Sequence, residues 1–462
     1  MGGFGAAARP VAVGDVVDLD VAHLADGPDA LCSLGGYVVF VAFALPGERI
    51  RARVVSAGRK HGRAELLEVL RASPDRVRPR CAHFGVCGGC DFQMQRPEAQ
   101  RQAATARVAK ALAFALKRPA ESLPVRPAVG AESPWGQRTK VALMLEPDRR
   151  DWLVAGLYAR RSQRVVPLRE CPVTEPEALA VAQRFVDRLR WQREPIADAR
   201  TGAPGLRAVL ARSPGAGAPP HLLLVGTDET PQNEAALVLS AKAAGASGLA
   251  YNVQPEFGPY LLGRQTRVLS GPERLSIDVS GRVWQVSPAA FFQTSSWGAS
   301  HLLQAVAERF APPPDADALD LYCGGGLLTL PLAARCRRII GIEGNPAAIE
   351  DARATARAWG TSNATFIAGR VEDELRAAAR RLEVHTVVLD PPRDGCDPAV
   401  VRALVETVRP RRLIYVSCEP TALARDAVAL VAGGFALVEA APFEMFPHTH
   451  HVETVAVFER AR

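Results

Sequence analysis

Lysine is nearly missing from this chain: five residues, at positions 60, 110, 117, 140 and 242, among 56 basic side chains. The basic charge is therefore almost all arginine, which binds phosphate in bidentate fashion and stacks on bases. A coding preference for arginine accounts for most of that excess. No run of eighteen apolar residues occurs, which excludes a membrane-spanning helix. Residues 1–9 lack a basic stretch followed by a long apolar core, so no secretion signal is expected there. Residue 6 is alanine, which removes the hydroxyl of an N-myristoylation motif. Nine cysteines in 462 residues are too few for a disulfide scaffold and point to a reducing cytoplasm. Internal repeats and extended low-complexity tracts are absent.

What is present suits two or three folded domains. The chain is 48% hydrophobic and 23% charged, enough to bury sizeable cores and unlike a disordered chain. Its formal net charge is +7 and its pI about 9.1, a balance that fits a polyanionic partner. Residues 11–72 carry short alternating runs at 16–21, 37–44, 50–57 and 64–69, which predict a small β-barrel. A Cys- and Gly-rich stretch, 73–95, precedes a helix over 97–117 that opens on Pro97. From about 125 to 290, strands and loops alternate with helices near 174–191 and 231–244, and 212–220 reads as a surface loop.

After about 296 the rhythm becomes strand–helix. Strands are expected at 318–323, 338–343, 364–368, 385–390, 412–417, 435–440 and 452–458. Helices are expected at 296–310, 346–358, 397–408 and 420–432. Such alternation predicts an open, doubly wound parallel sheet. The division that follows is 1–72, 73–290 and 291–462.

Within the last part, Ala318–Gly326 runs a strand into the glycine turn Tyr322-Cys-Gly324-Gly-Gly326. Glycines let backbone approach a ligand, and the next helix start offers free N–H groups. The following strand ends in Glu343, whose carboxylate can accept ribose hydroxyls. A dinucleotide fingerprint would place another glycine where Thr329 stands. Its absence favours a ligand without a pyrophosphate, S-adenosylmethionine rather than NAD.

Asp390-Pro-Pro-Arg393 closes the strand near 385–389, at the edge where ligands of such sheets bind. Cys418 follows the apolar run Leu413–Val416, and Phe446-Pro-His-Thr-His-His-Val-Glu453 lies near the C-terminus. A thiol at a strand end can be a nucleophile, and a nearby carboxylate can be a base. Separately, Cys81-x5-Cys87-x2-Cys90 and the remote Cys171 make a four-thiol set able to hold zinc or an iron–sulfur cluster. Cys32, Cys323, Cys336 and Cys396 read as structural, and His83 as a loop residue.

Taken together, Asp390-Pro-Pro-Arg393, Leu413 through Asp426 and Phe446 through Glu453 resemble the RNA uracil-5-methyltransferase family. The resemblance covers most of the chain. It implies a class I (Rossmann-like) methyltransferase domain, an α/β fold, behind a central α+β domain. Gly36 through Glu48 is similar to the central signature of a TRAM domain, an OB-like barrel that the bacterial 23S ribosomal RNA branch carries. The resemblance implies Cys418 as nucleophile and Glu453 as base, with Asp390 and Arg393 positioning the base and the cofactor. Gln293 matches a cofactor-binding position beside Tyr322, Gly324, Gly326 and Glu343. Cys81, Cys87, Cys90 and Cys171 would hold a [4Fe–4S] cluster, and Arg138 and Lys140 fall in a run similar to an RNA-contacting segment. Two departures stand out: Ser295 where the family has Asn, and Glu419 where it often has Asn.

The function implied is S-adenosylmethionine-dependent methylation of uridine C5 in 23S ribosomal RNA by a cytoplasmic monomer, with no DNA or membrane partner. Alternatives are a transfer-RNA uridine, a non-catalytic RNA-binding or chaperone protein, and a redox sensor built on the cluster.

Overall fold

The computed structural model describes residues 11–148, 150, 152–215 and 217–460. The N-terminal segment read for secretion and acylation signals lies outside them. No helix among the described residues is long and apolar enough to cross a membrane.

Five strands close a barrel: β1 (Val16–Leu24), β2 (Asp29–Leu34), β3 (Tyr37–Ala42), β4 (Arg49–Ala57) and β5 (His61–Arg71), in the order β1-β2-β3-β5-β4. The alternation in β3 and β4 sends Val39, Val41, Ile50, Ala52 and Val54 inward, and closure removes exposed strand edges. Sequence patterning had no signal for β2, whose Asp29-Ala-Leu-Cys-Ser-Leu34 lacks clean alternation. Glu48 is fully buried and accepts from Leu45 N, Ser73 N and the Arg76 guanidinium, with Arg76 Nε at 2.5 Å. It thereby ties the barrel to the segment leaving it.

Helix α1 (Pro97–Leu116) starts with proline at its first turn and buries Ala104, Val108 and Leu112. These side chains join the core of the C-terminal sheet, and the short β6 (Val129–Gly130) adds to that sheet's edge. The chain between 97 and 130 therefore leaves the barrel and serves the C-terminal core.

A seven-stranded sheet occupies the middle of the chain. Its members are β7 (Lys140–Pro147), β8 (Leu153–Tyr158), β9 (Val165–Pro167), β10 (Leu206–Arg212), β11 (His221–Gly226), β12 (Gly248–Val253) and β13 (Gln265–Ser270). The order is β13-β12-β11-β10-β7-β8-β9. Helices α2 (Pro176–Gln192) and α3 (Glu234–Ala243) cover one face through Val181, Phe185, Leu189 and Leu237. The hairpin β14 (Leu275–Val279) and β15 (Arg282–Val286) follows, and its Ile277 and Trp284 belong to the core of the next sheet.

That sheet is built from β16 (Asp317–Leu321), β17 (Arg338–Glu343), β18 (Ala364–Ala368), β19 (Val384–Leu389), β20 (Arg412–Ser417), β21 (Phe435–Glu444) and β22 (Glu453–Arg460), with β6 at the edge. Helices α4 (Ser296–Arg309), α5 (Thr329–Ala333), α6 (Pro346–Trp359), α7 (Val371–Ala379), α8 (Pro398–Ala403) and α9 (Pro420–Ala432) complete the α/β layering. The order β18-β17-β16-β19-β20-β22-β21-β6 corrects the all-parallel expectation at one place. β22 pairs antiparallel with both β20 and β21. Only eight residues separate β21 from β22, too few for the crossover of a dozen or more that parallel neighbours need. Helix α5 is the helix expected after the glycine turn, while α7 was not foreseen, its nine residues giving too little periodicity to read.

One buried carboxylate joins the barrel to the middle sheet. Asp29 Oδ2 accepts from Arg63 Nη1 and Arg161 Nη2, both at 2.6 Å, and Oδ1 from Arg160 Nη2 at 2.8 Å. Burial opposes ionisation of Asp29, but the Arg161 hydrogen bond and the surrounding guanidinium charges outweigh it and hold its pKa below 3.8. Because Arg63 and Arg161 are about half exposed, the expected loss in Asp29→Ala is about 1–2 kcal/mol. A depressed carboxylate pKa stabilises the fold above its unfolded value and loses that effect as pH falls through the folded one. Urea denaturation should therefore show the full wild-type-to-mutant gap at pH 7 and a shrinking gap below pH 3.8.

Candidate active site

Three adjacent strand ends define the site. Leu389 pairs with Tyr415 across β19 and β20, and Ser417 pairs with Thr454 across β20 and β22. The next residues beyond these rungs are Asp390, Cys418 and Glu453. The reversed direction of β22 brings its first residue, Glu453, to the edge where β19 and β20 finish. All three side chains line one cavity of about 770 Å³. Gln293, Tyr322, Gly324 and Glu343 line it as well, so the structure gathers these predicted residues around one space.

Gly326 does not line it. A Cβ there would meet Ala352 Cβ at 3.3 Å and Leu330 and Phe366 at 3.4 Å, so this glycine allows the turn to seat against α6. Its φ of +78° and that of Gly324, +52°, are left-handed values at which a side chain strains the backbone. Glu343 holds the turn from the neighbouring strand. Its Oε2 accepts from Gly324 N at 3.1 Å and its Oε1 from Asn345 N at 2.7 Å. Behind the turn, buried Asp320 accepts from Thr329 Oγ1 at 2.5 Å, so the residue in place of a third glycine anchors α5.

Burial dominates the electrostatics of the reacting end. It raises the Cys418 thiol to about 11, with the Glu453 and Asp390 charges adding to the rise and Arg393 opposing it. Burial likewise raises Glu453 well above the ordinary carboxylate range, and Asp390 contributes in the same direction. Asp390 is raised by burial and by Glu343. Glu453 is 4% exposed and its Oε1 has no hydrogen-bond partner. An unpaired buried polar atom costs about 1–3 kcal/mol, the kind of local expense found at functional sites. His451 also lines the cavity, and its Nε2 lies 3.5 Å from Arg393 Nη2. Burial, then the neighbouring His450 and Arg393, lower His451 to about 4, so it is a neutral ring at pH 7.

Cavity residues missed from sequence include Phe291, Arg370 and Glu372. The last two follow β18, the third strand of the parallel set, where position relative to the sheet edge was the only available signal. Both departures from the family pattern occupy helix starts. Ser295 caps α4, accepting from Gly298 N at 3.0 Å. Glu419 caps α9, accepting from Thr421 N at 3.3 Å and Thr421 Oγ1 at 2.9 Å. Ser and Asn are interchangeable caps, and a carboxylate complements a helix N-terminus.

The four distant cysteines also converge. Cys81, Cys87, Cys90 and Cys171 line a second cavity of about 290 Å³. Burial raises Cys81, Cys87 and Cys90, the last to about 11, and Arg138 offsets part of the rise for Cys87 and Cys90. Among the described residues, no group of three or more His, Cys, Asp or Glu is close enough to hold a metal ion. Arg138 and Lys140, which fall in the run similar to an RNA-contacting segment, line this cavity too. Lys140 is buried enough to lower its pKa to about 8, with Arg212 adding to the effect. Thr294 lines both cavities and forms part of the wall between them.

With this geometry, likeness to known proteins becomes informative. Residues 272–461 match the model of the tRNA (uracil-5-)-methyltransferase family. An uncharacterized RNA methyltransferase of Gloeobacter violaceus is 36% identical over 454 residues, 97% of each chain. One from Halalkalibacterium halodurans is 32% identical over 453 residues, 97% of this chain and 98% of its own. Among solved structures, the tRNA (uracil-54, C5)-methyltransferase of Pyrococcus abyssi in complex with S-adenosyl-L-homocysteine superposes with a TM-score of 0.74 at 24% identity. That match covers 95% of this chain and 99% of the other. The three strand ends, the glycine turn and this full-length similarity lead to one conclusion: the chain belongs to the RNA uracil-5-methyltransferase family.

Proposed function

We propose that this protein methylates C5 of a uridine in 23S ribosomal RNA through a covalent adduct between Cys418 and C6 of the base. The observation that carries the reading is the meeting of Asp390, Cys418 and Glu453 at three neighbouring strand ends around one cavity.

The residues present suit S-adenosylmethionine. Gly324 and Gly325 leave backbone uncovered at the cavity wall, and Glu343 lies beside them with carboxylate oxygens able to accept further hydrogen bonds. The bound cofactor supplies an electrophilic methyl group. The protein's task is to make C5, a weak nucleophile, electron-rich. Cys418 sheds its proton to water and its thiolate bonds to C6, which moves the C5=C6 electron pair into an enolate. After C5 has gained the methyl group, Glu453 removes the C5 proton. The released pair then restores C5=C6 and expels the thiolate. Arg393 and the neutral His451 border the same space and are placed to orient the ring. Once ionised, Glu453 is a stronger base than an exposed carboxylate, because burial raises its proton affinity, which suits removal of a carbon-bound proton.

For the four-thiol cavity the reading is a [4Fe–4S] cluster, which the soft donors Cys81, Cys87, Cys90 and Cys171 lining one space would suit. Arg138 and Lys140 would balance an anionic cluster held by Cys81, Cys87, Cys90 and Cys171, whose chemistry would be structural or electron-carrying.

A transfer-RNA target is the second reading. The Pyrococcus abyssi match extends over 95% of this chain, so an N-terminal barrel does not by itself separate the ribosomal from the transfer-RNA branch. Mapping 5-methyluridine in RNA from a deletion strain and its parent tests both. Loss of one 23S site supports the first reading, and loss only from transfer RNA replaces it with the second.

The raised pKa of Cys418 predicts a measurable pH dependence in the free protein. Only the thiolate is alkylated. Its rate, followed on the Cys418 peptide by mass spectrometry with iodoacetamide, should rise about tenfold per pH unit between pH 7 and 9. A plateau by pH 8 would show that the thiol is already ionised and that burial does not control it.

A further inference from the structure

The connection between β21 and β22 carries His451 to the cavity and ends at Glu453, yet residues far away in sequence hold it. His448 sits in the middle of it with a left-handed φ of +65°, which its own local bonds do not explain. Its carbonyl accepts from Asp91 N at 2.7 Å and Phe92 N at 3.0 Å. Its N–H donates to Gln100 Oε1 at 3.0 Å, and Gln100 Nε2 lies 3.1 Å from its Nδ1. Gln100 is itself buried and fixed by the carbonyls of Phe92 and Gln95. Two residues on, His450 N donates to Asp91 Oδ2 at 3.2 Å, and His450 Nδ1 lies 2.8 Å from the same oxygen. The His450 carbonyl accepts from Arg107 Nη1 at 2.7 Å. Trp135 stacks on the His448 ring with centroids 4.3 Å apart. Residues 91–107 thus satisfy the backbone polar groups of both His448 and His450, while the connection's own bonds centre on Thr449, whose N–H and hydroxyl donate to the Phe446 carbonyl and whose hydroxyl accepts from His451 N.

We infer that Asp91, with Gln100 and Arg107, is a positioning residue for Glu453. It fixes the loop so that the carboxylate stands at the β20 strand end rather than swinging with a mobile eight-residue connection. This rests on the reading of Glu453 as the base. Asp91 grips both the backbone and the ring of His450, three residues before Glu453 and next to His451, which lines the cavity, so its loss frees the loop just before the carboxylate. Asp91 also follows Cys90 directly, so the wall of the four-thiol cavity and the cradle of the catalytic loop are one piece of chain.

Asp91→Ala tests this with uridine-containing RNA and S-adenosylmethionine. Turnover should fall roughly a hundredfold, the scale of an ångström misplacement of a reacting group. KM for RNA and affinity for S-adenosylhomocysteine should stay within twofold of wild type. A protein–RNA complex stable to denaturant and carrying the transferred methyl group should accumulate, because thiol addition and methyl transfer proceed while proton removal lags. Asp91→Asn retains an acceptor for His450 and should recover most turnover. It also carries the test should Asp91→Ala fail to fold, since full loss in Asp91→Asn would overturn the inference. Wild-type turnover in Asp91→Ala, or slow turnover with no trapped methylated complex, would overturn it too. Glu453→Gln separates the two levels: if it accumulates the complex and Asp91→Ala does not, the positioning inference fails alone. If Glu453→Gln accumulates none, the assignment of the base fails.

Discussion

The antiparallel pairing of β22 with β20 is the constraint on which the site depends. A parallel β22 would start at the opposite edge of the sheet and leave Glu453 far from Cys418. Reversal puts the first residue of β22 one rung beyond the Ser417–Thr454 pair, beside the residue that follows β20. The ladder that makes this possible is buried on both faces: Ile414 and Val416 pair with Val457 and Val455 inside the sheet. Register there is set by side-chain fit against two cores, with Ile414, Val416 and Val455 in one and Leu413, Tyr415, Ala456 and Phe458 in the other.

The pairing concentrates carboxylates and a thiol at one sheet edge, and burial is the leading cause of the raised pKa values of Cys418, Asp390 and Glu453. One cation tempers it. Arg393 opposes the rise at both Cys418 and Glu453. Around the four cysteines the balance is reversed: Arg138 and the buried Lys140 meet thiols whose charge appears only when they are deprotonated. The fold therefore keeps two adjoining pockets of opposite electrostatic need, with Thr294 common to their walls.

Much of this was legible from sequence, for reasons that differ between residues. The parallel strands could be read because each is a short apolar run with a helix after it. Gly324 and Glu343 were legible because a tight turn needs glycine and a strand-end acid has few other uses there. The reversal of β22 was not deduced, since strand direction depends on the length of a loop whose residues looked like motif rather than connection. That Arg138 and Lys140 line the four-thiol cavity was not legible, because charge in a sequence does not say which way it faces. Asp91, Gln100 and Arg107 gave no signal at all. Each is an ordinary polar residue more than three hundred positions from the loop it holds, and only the tertiary fold makes them neighbours. Ser295 and Glu419 stood out as departures in sequence, and only the fold shows that both cap helices.

The central claim is that Cys418 bonds to the pyrimidine ring. Substrate RNA carrying 5-fluorouridine at the target tests it most directly, because fluorine at C5 cannot depart as a proton and the adduct cannot resolve. In the presence of S-adenosylmethionine the account predicts a one-to-one protein–RNA complex that survives denaturant, with peptide mapping placing the link at Cys418 and none forming in Cys418→Ala. A link mapped to Cys396 or another cysteine, or methylation of ordinary uridine by Cys418→Ala at the wild-type rate, would contradict it.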